Sequence, residues 1–215
     1  MTRGGVSAVV LAGGRSSRFG RDKLAEPIDG RPLLSYAVEA VRPFATEIII
    51  VVAPGSAPAA AIPDGAILVH DPVAFEGPLA GLLAGLQAAH EPVVLVVGGD
   101  MPTLVGAILA AMLDELDTSG TNDRATVPGT TTTLLASDDA KVVVLEHQGR
   151  ARPLPMVVRR EPALAAVARL REAGERRLRT LTETLPTRII AESTWRIIDP
   201  DGRTLRDIDA PADIV

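Results

Sequence analysis

Three contiguous apolar runs constrain the fold more than anything else in this chain. Residues 6–11 contain Ala8, Val9, Val10 and Leu11 in a row, residues 47–53 read EIIIVVA, and residues 93–97 read VVLVV. Apolar runs of this kind, without alternation, suit strands buried on both faces of a parallel sheet. A shorter run at 66–69 fits a further strand. Between the runs, apolar residues recur at helical spacing. Leu34, Ala37, Val38 and Val41 follow Pro32; Leu79, Leu82, Leu83 and Leu86 follow Pro78; Val105, Ile108, Leu109, Met112 and Leu116 follow the third run. Strands alternating with helices imply βαβ crossovers, and so an α/β fold with a mostly parallel sheet.

The second half keeps this rhythm less strictly. Residues 141–146 and 152–158 flank His147-Gln148-Gly149-Arg150 and predict a hairpin, in which Pro153 and Pro155 suit an edge position or a bulge. A helix is expected over 162–173, capped by Gly174, and Leu178, Leu181 and Leu185 suggest a short further helix. Residues 118–139 are rich in Thr, Ser, Asp and Gly and show no period. They read as a flexible insertion, a mobile surface segment in preference to a lid. One domain over residues 1–215 is expected, because no long linker divides the chain.

Composition narrows the function classes. Aromatic residues make up only 2%, so the core must be built from Ala, Val, Leu and Ile. The absence of cysteine excludes disulfides, cysteine-zinc sites and thiol nucleophiles, and fits a cytoplasmic protein. A net charge of −5 with dispersed Lys and Arg gives no nucleic-acid surface. The run at 48–53 is far below the roughly 20 residues of a membrane helix, so no membrane partner is expected. His70, His90 and His147 are widely spaced and match no metal-ligand motif, and no G-x-S-x-G elbow is present.

Chemistry concentrates where the first run ends. Residues 11–23, LAGGRSSRFGRDK, carry Gly13, Gly14 and Gly20 with Arg15, Arg18, Arg21 and Lys23 interspersed. Glycines let backbone N–H groups approach an anion and the cations neutralise it, which suits a phosphate-gripping loop. The loop is neither a Walker A sequence nor a dinucleotide fingerprint, and a surface turn with solvated charges is the alternative. Lysine is scarce here: of 22 basic residues only Lys23 and Lys141 are lysine. In an arginine-rich chain, a lysine in this loop reads as a compact charge aimed at phosphate.

Ligands of parallel sheets bind beyond the carboxyl ends of the strands. The loop after Leu11, HDPVAFEGP after Val69 and GGDMP after Val97 are therefore expected to converge. Asp100 in GGDMP suits Mg2+, which accepts one or two carboxylates plus phosphate oxygens; capping of a helix near Thr103 is the competing role. In LRDIDAPAD, Asp207 and Asp209 share a face if the stretch is extended, with Ile208 opposite. They would approach a metal together, or Asp209 would cap a terminal helix. Asp71 and Glu76 would orient substrate or solvate a turn. Gly77, Gly81 and Gly85 give one bare helix face, for a nucleotide or for a neighbouring strand or helix.

The pattern L-A-G-G-x-S-x-R-x-G-x-D-K resembles the signature of nucleotidyltransferases similar to molybdenum cofactor guanylyltransferase. Gly13, Gly14, Ser16, Arg18, Gly20, Asp22 and Lys23 match, and Phe19 stands where the family usually has Met. GRPLL, EGPLAGLLAGL, GGDMP, the Pro-containing strand after HQGR, AGERRL and DIDAPAD resemble family segments in family order. The resemblance implies a Rossmann-like three-layer domain of the nucleotide-diphospho-sugar transferase kind. It further implies a Mg2+-dependent enzyme that transfers GMP from GTP to a molybdopterin cofactor and releases pyrophosphate, acting as a monomer or weak homo-oligomer. On that resemblance Leu11, Ala12, Gly13, Gly14 and Lys23 would hold the triphosphate, with Arg18 assisting electrostatically. Asp100 would ligate Mg2+, joined by Asp209 and more weakly by Asp207, and Asp71 would lie beside the nucleotide. Gly77, Pro78, Leu79, Ala80 and Gly81, with Asp207 and Asp209, would meet the acceptor.

One feature departs from the guanylyltransferase pattern. Asp207 and Asp209 stand where that pattern has two asparagines, and the acidic form is more like cytidylyltransferases and sugar-phosphate nucleotidyltransferases. G-P-L-A-G, in contrast, is the guanylyltransferase form. A cytidylyl-, sugar-phosphate- or phospho-acid-directed enzyme of the same fold is therefore the second reading. A non-catalytic nucleotide-binding module is the third, and intact Lys23 and Asp100 argue against it.

Overall fold

The structure is a computed structural model that describes residues 5–13, 23–54, 62, 64–71, 76–118, 139–208 and 213. The apolar runs become strands: β1 (Val6–Leu11) comes first, followed by a small ribbon of β2 (Pro27–Ile28) and β3 (Arg31–Pro32). Helix α1 (Leu33–Val41), β4 (Glu47–Val52), β5 (Ala66–His70), α2 (Pro78–Ala88), β6 (Val93–Gly98) and α3 (Gly106–Thr118) then alternate as the periodicity predicts. After them come β7 (Val142–His147), β8 (Arg150–Arg159), α4 (Arg160–Glu172), α5 (Arg179–Thr184), β9 (Thr187–Ile190) and α6 (Glu192–Trp195).

Seven strands form one sheet in the order β5-β4-β1-β6-β8-β7-β9. Only β8 runs antiparallel to its neighbours. Because successive residues of a strand face opposite sides, each contiguous run feeds two cores. Ala8, Val10, Ile50, Leu95 and Val97 pack with α1, α3 and Trp195. Val9, Ile49, Val51, Val94 and Val96 pack with α2, α4 and Leu181 of α5 on the other face. The result is the expected three-layer α/β architecture. Among the described residues, no helix is long and apolar enough to cross a membrane.

Two local expectations change. Pro153 and Pro155 lie in an interior strand, so the edge position is excluded and the bulge accounts for them. Val144 pairs with Met156 but Leu145 pairs with Arg152, and the ladder skips the three residues between. The second change is β9, an additional strand parallel to β7. Most of the 118–139 insertion lies outside the described residues.

The bare face of α2 is turned against the sheet. A Cβ on Gly85 would stand 2.5 Å from Val9 Cγ1 and 3.2 Å from Val51 Cγ2. Val9 is fully buried on a central strand and has nowhere to move. Gly85→Ala gains up to about 1 kcal/mol of helix propensity, whereas overpacking a close-packed core costs about 1–3 kcal/mol. With the clash this short, the expected result is net destabilisation, read as a lower urea midpoint at unchanged slope.

Candidate active site at the carboxyl edge of the sheet

Hydrogen bonds beyond the strand ends stitch the three polar segments together. The Ala12 N–H donates to the Val51 carbonyl at 2.7 Å, Asp71 N–H to the Val52 carbonyl at 2.9 Å, and Gly99 N–H to the Leu11 carbonyl at 3.0 Å. The loops after β1, β5 and β6 thus leave the sheet side by side, as the topology requires of a site at this edge.

Lys23 opens a 3-10 turn, Lys23–Ala25, that is anchored by Leu24 in the core. Its Nζ donates to Asp100 Oδ2 at 2.7 Å and to the Ile208 carbonyl at 3.1 Å. Asp100 reaches this position through two glycines. A Cβ on Gly98 would stand 2.5 Å from Asp100 Oδ1, and one on Gly99 would stand 3.4 Å from the Leu11 carbonyl oxygen. Helix capping by Asp100 is excluded, because α3 starts only at Gly106 and the Val105 N–H is taken by Thr204 Oγ1 at 3.2 Å. The side chains of Lys23 and Asp100 are 15% and 27% exposed. They are sheltered yet open to a ligand.

Beside this pair lies a cleft of about 500 Å³. One wall is Leu11 and Gly13 with Val52, Ala53 and Pro54; the other is Gly77, Pro78, Gly81 and Arg176, with Asp71 between them. Leu11 links the two halves of the site, lining the cleft while its carbonyl holds Gly99. A Cβ on Gly81 would make ordinary contacts with Val51 and Leu11, at 3.6 and 3.7 Å.

Other predicted residues are placed differently. Leu79 is fully buried and Ala80 is 4% exposed, so both support the wall from the core side. Glu76 forms an ion pair with Arg171, and the Glu76 carbonyl accepts from the same guanidinium, so Glu76 secures the start of α2 and does not face the cleft as a substrate-orienting group. Asp207 is exposed, and Ile208 between it and residue 209 turns into the core as expected. Gly14, Arg18 and Asp209 lie outside the described residues, as do Ser16, Gly20 and Asp22. His90 pairs with Glu47, and His147 with Glu192. Among the described residues no three His, Cys, Asp or Glu side chains gather as a metal site.

Arg176 is the cleft residue that periodicity and spacing did not reveal. Gly77 has φ +87°, and a Cβ there would fall 2.8 Å from the Arg176 carbonyl oxygen, which accepts from the Leu79 N–H at 3.2 Å. Glu175 holds this turn by accepting the backbone N–H of Arg176 and Arg177. The Arg177 guanidinium, with those two N–H groups, keeps the Glu175 carboxyl well below the usual carboxylate range. The only available signal was the arginine pair in AGERRL.

No Ser, Thr, Cys or His lines the cleft among the described residues. Among the described residues the cleft offers neither a nucleophile of those types nor a histidine relay; beside it stands a cation held on a carboxylate. That arrangement on this sheet accords with a nucleotidyltransferase, and comparison with known proteins shows that class. Residues 8–189 match the family model for the MobA-like NTP transferase domain, and the chain belongs to that family. A Chloroflexus aggregans protein named "Probable molybdenum cofactor guanylyltransferase" is 34% identical over 213 residues, covering 97% of this chain and 91% of its own length. Two solved structures share the fold. The molybdopterin-guanine dinucleotide biosynthesis protein A of Archaeoglobus fulgidus has a TM-score of 0.70 at 19% identity, covering 97% of this chain and 94% of that one. The 2-C-methyl-D-erythritol 4-phosphate cytidylyltransferase of Thermus thermophilus has a TM-score of 0.65 at 17% identity, covering 96% and 94%.

Proposed function

We propose that this nucleotidyltransferase transfers GMP from GTP to the phosphate of a molybdopterin cofactor, with Mg2+ and with release of pyrophosphate. The observation that carries this reading is the Lys23–Asp100 pair beside a nucleotide-sized cleft, in a chain aligned almost end to end with a relative of that name. An acceptor phosphate oxygen attacks the α-phosphorus of GTP, a new P–O bond forms, and the bond from the α-phosphorus to the oxygen bridging to the β-phosphate breaks. The electron pair leaves with pyrophosphate. No covalent protein intermediate is needed, so the protein contributes positioning and charge neutralisation.

The donor set fits Mg2+. Asp100 offers one hard carboxylate that already faces a cation, and Mg2+ binds through one or two carboxylates with phosphate oxygens and water completing its shell. When bound, the metal supplies Lewis-acid polarisation of the phosphoryl oxygens. Asp209, or more weakly Asp207, is the proposed second carboxylate. Lys23 stabilises charge building on the leaving pyrophosphate, with Leu11, Ala12, Gly13 and Gly14 as the backbone cradle and Arg18 as a further cation. Asp71 lies beside the nucleoside. Gly77, Pro78 and Gly81 form the acceptor wall, with Leu79 and Ala80 behind it. We assign the activity to one domain, working in the cytoplasm as a monomer or weak homo-oligomer without nucleic-acid or membrane partners.

The acidic pair at 207 and 209 favours the second reading, a cytidylyl- or sugar-phosphate-directed enzyme. Pyrophosphate release decides between them, measured for each nucleoside triphosphate with molybdopterin or with sugar phosphates, in Mg2+ and in EDTA. The expected result is fastest release with GTP and molybdopterin, abolished by EDTA. Faster release with CTP and a sugar phosphate overturns the proposed substrates. Nucleotide-induced thermal stabilisation without release for any pair identifies a binding module instead.

A further inference from the structure

Lys23 is held from the far end of the chain. Beyond α6, residues 199–208 form a strap over the face that carries α1 and α3, with Leu205 and Ile208 packed into that core. The strap is folded on Asp199, which is 2% exposed. Its Oδ1 accepts the Arg203 N–H at 3.0 Å and its Oδ2 accepts the Thr204 N–H at 2.7 Å. Burial alone would raise the Asp199 carboxyl, but these two N–H groups and the Thr204 hydroxyl outweigh it and hold the group below its ordinary value.

The fold of the strap is transmitted to the site by further bonds. Thr204 Oγ1, fully buried, accepts the Val105 N–H at 3.2 Å, and the Thr103 hydroxyl donates to the Arg203 carbonyl at 2.7 Å. These bonds moor the strap to the turn that leads from Asp100 into α3. The strap then meets Asp100 itself: the Ile208 N–H donates to the Asp100 carbonyl at 3.0 Å, and the Ile208 carbonyl accepts from Lys23 Nζ at 3.1 Å. An ammonium has three donors, and this arrangement directs one to Asp100 and one to Ile208, which fixes where the charge sits. A flexible lysine stem held at two points has already given up much of the freedom that docking a phosphate would otherwise cost.

We propose that Asp199 is a positioning residue for Lys23, acting through the strap it folds and the Ile208 carbonyl that the strap delivers. Asp199 does not touch substrate. The consequence for turnover rests on the nucleotidyl-transfer reading, whereas the hold on Lys23 is a property of the protein alone. Two lysines in the whole chain make that hold directly observable.

Biosynthetic labelling with ε-13C lysine on a Lys141→Arg background leaves Lys23 as the single side-chain signal. In the parent protein this signal is expected away from the position of free lysine, and Asp199→Asn moves it toward that position. With GTP and molybdopterin, the same variant lowers kcat by roughly 10–100-fold while the triphosphate KM shifts much less, as expected when a charge is misplaced but the cleft is intact. Trp195 fluorescence verifies the fold. If Asp199→Asn fails to fold, Thr204→Val removes one mooring of the same strap and must move the same signal. A folded Asp199→Asn, or in its place a folded Thr204→Val, whose Lys23 signal matches the parent overturns the proposal. A protein that releases no pyrophosphate yet shows the shift retains this inference and loses the function above.

Discussion

Lys23→Ala is expected to lower kcat for pyrophosphate release by about 10²–10³-fold, the size of effect seen when one preorganised charge donor is removed from a transition state. Its cost in stability is expected to lie between that of breaking a surface pair, about 0–1 kcal/mol, and that of breaking a fully buried one, about 3–5 kcal/mol, because the two side chains are sheltered but not sealed from water. A kinetic loss measured well below the melting temperature, on folded protein, therefore separates a catalytic cation from a structural one. Lys23→Arg should not rescue the rate. A planar guanidinium cannot place one compact charge between Asp100 Oδ2 and the Ile208 carbonyl as an ammonium does. Lys141 pairs with Asp139 away from the cleft, so Lys141→Arg serves as the control and should leave the rate unchanged.

Asp100→Ala is expected to cost at least as much, about 10³-fold in kcat, because one carboxylate serves both Lys23 and the proposed metal. Asp100→Asn is the sharper probe. It keeps the shape that Gly98 makes room for and the backbone carbonyl that receives Ile208, and it removes only the charge. The Mg2+ concentration for half-maximal rate should then rise at least about tenfold, since even outer-shell changes cost that much in metal affinity. Unchanged turnover and unchanged Mg2+ dependence in Asp100→Asn would remove Asp100 from the site.

The layered fold was legible because β1, β4 and β6 rest on nearly unbroken apolar runs and each of the first three helices carries its own period. Those are side-chain signals, repeated along the chain. β9 was not legible: in Thr187–Ile190 only two adjacent isoleucines are strongly apolar, and Ile189 is 46% exposed at the sheet edge. The position of β8 inside the sheet was obscured by its prolines, which a bulge accommodates.

The site divides in the same way. Lys23 was readable as the lysine of a glycine-rich loop, Asp100 as a carboxylate two glycines after an apolar run, and Asp71 as a carboxylate just beyond a short strand. Ile208 was readable only as a core residue, because its part in the site is played by a backbone carbonyl that any residue supplies. Glu76 looked like Asp71 in sequence, yet its partner Arg171 lies far along the chain and only the fold pairs them. The fold is shared with a molybdopterin-guanine dinucleotide biosynthesis protein and with a cytidylyltransferase, so architecture alone leaves the base open. Base choice rests on cleft side chains that the common sheet does not determine.

The bond from Lys23 to Ile208 joins residues 185 positions apart, close to the whole length of the polypeptide. During synthesis every strand of the sheet has emerged before the segment that seats the lysine exists. Parallel pairing along the sheet and seating of the lysine are therefore separable, and once the sheet has formed the second closes only the short segment between α6 and Ile208. A nascent chain, or one cut between β9 and Ile208, has all seven strands of the sheet and still lacks the carbonyl to which Lys23 donates. On the proposed mechanism, a chain cut before Ile208 is expected to lose turnover together with the core contacts of Leu205 and Ile208.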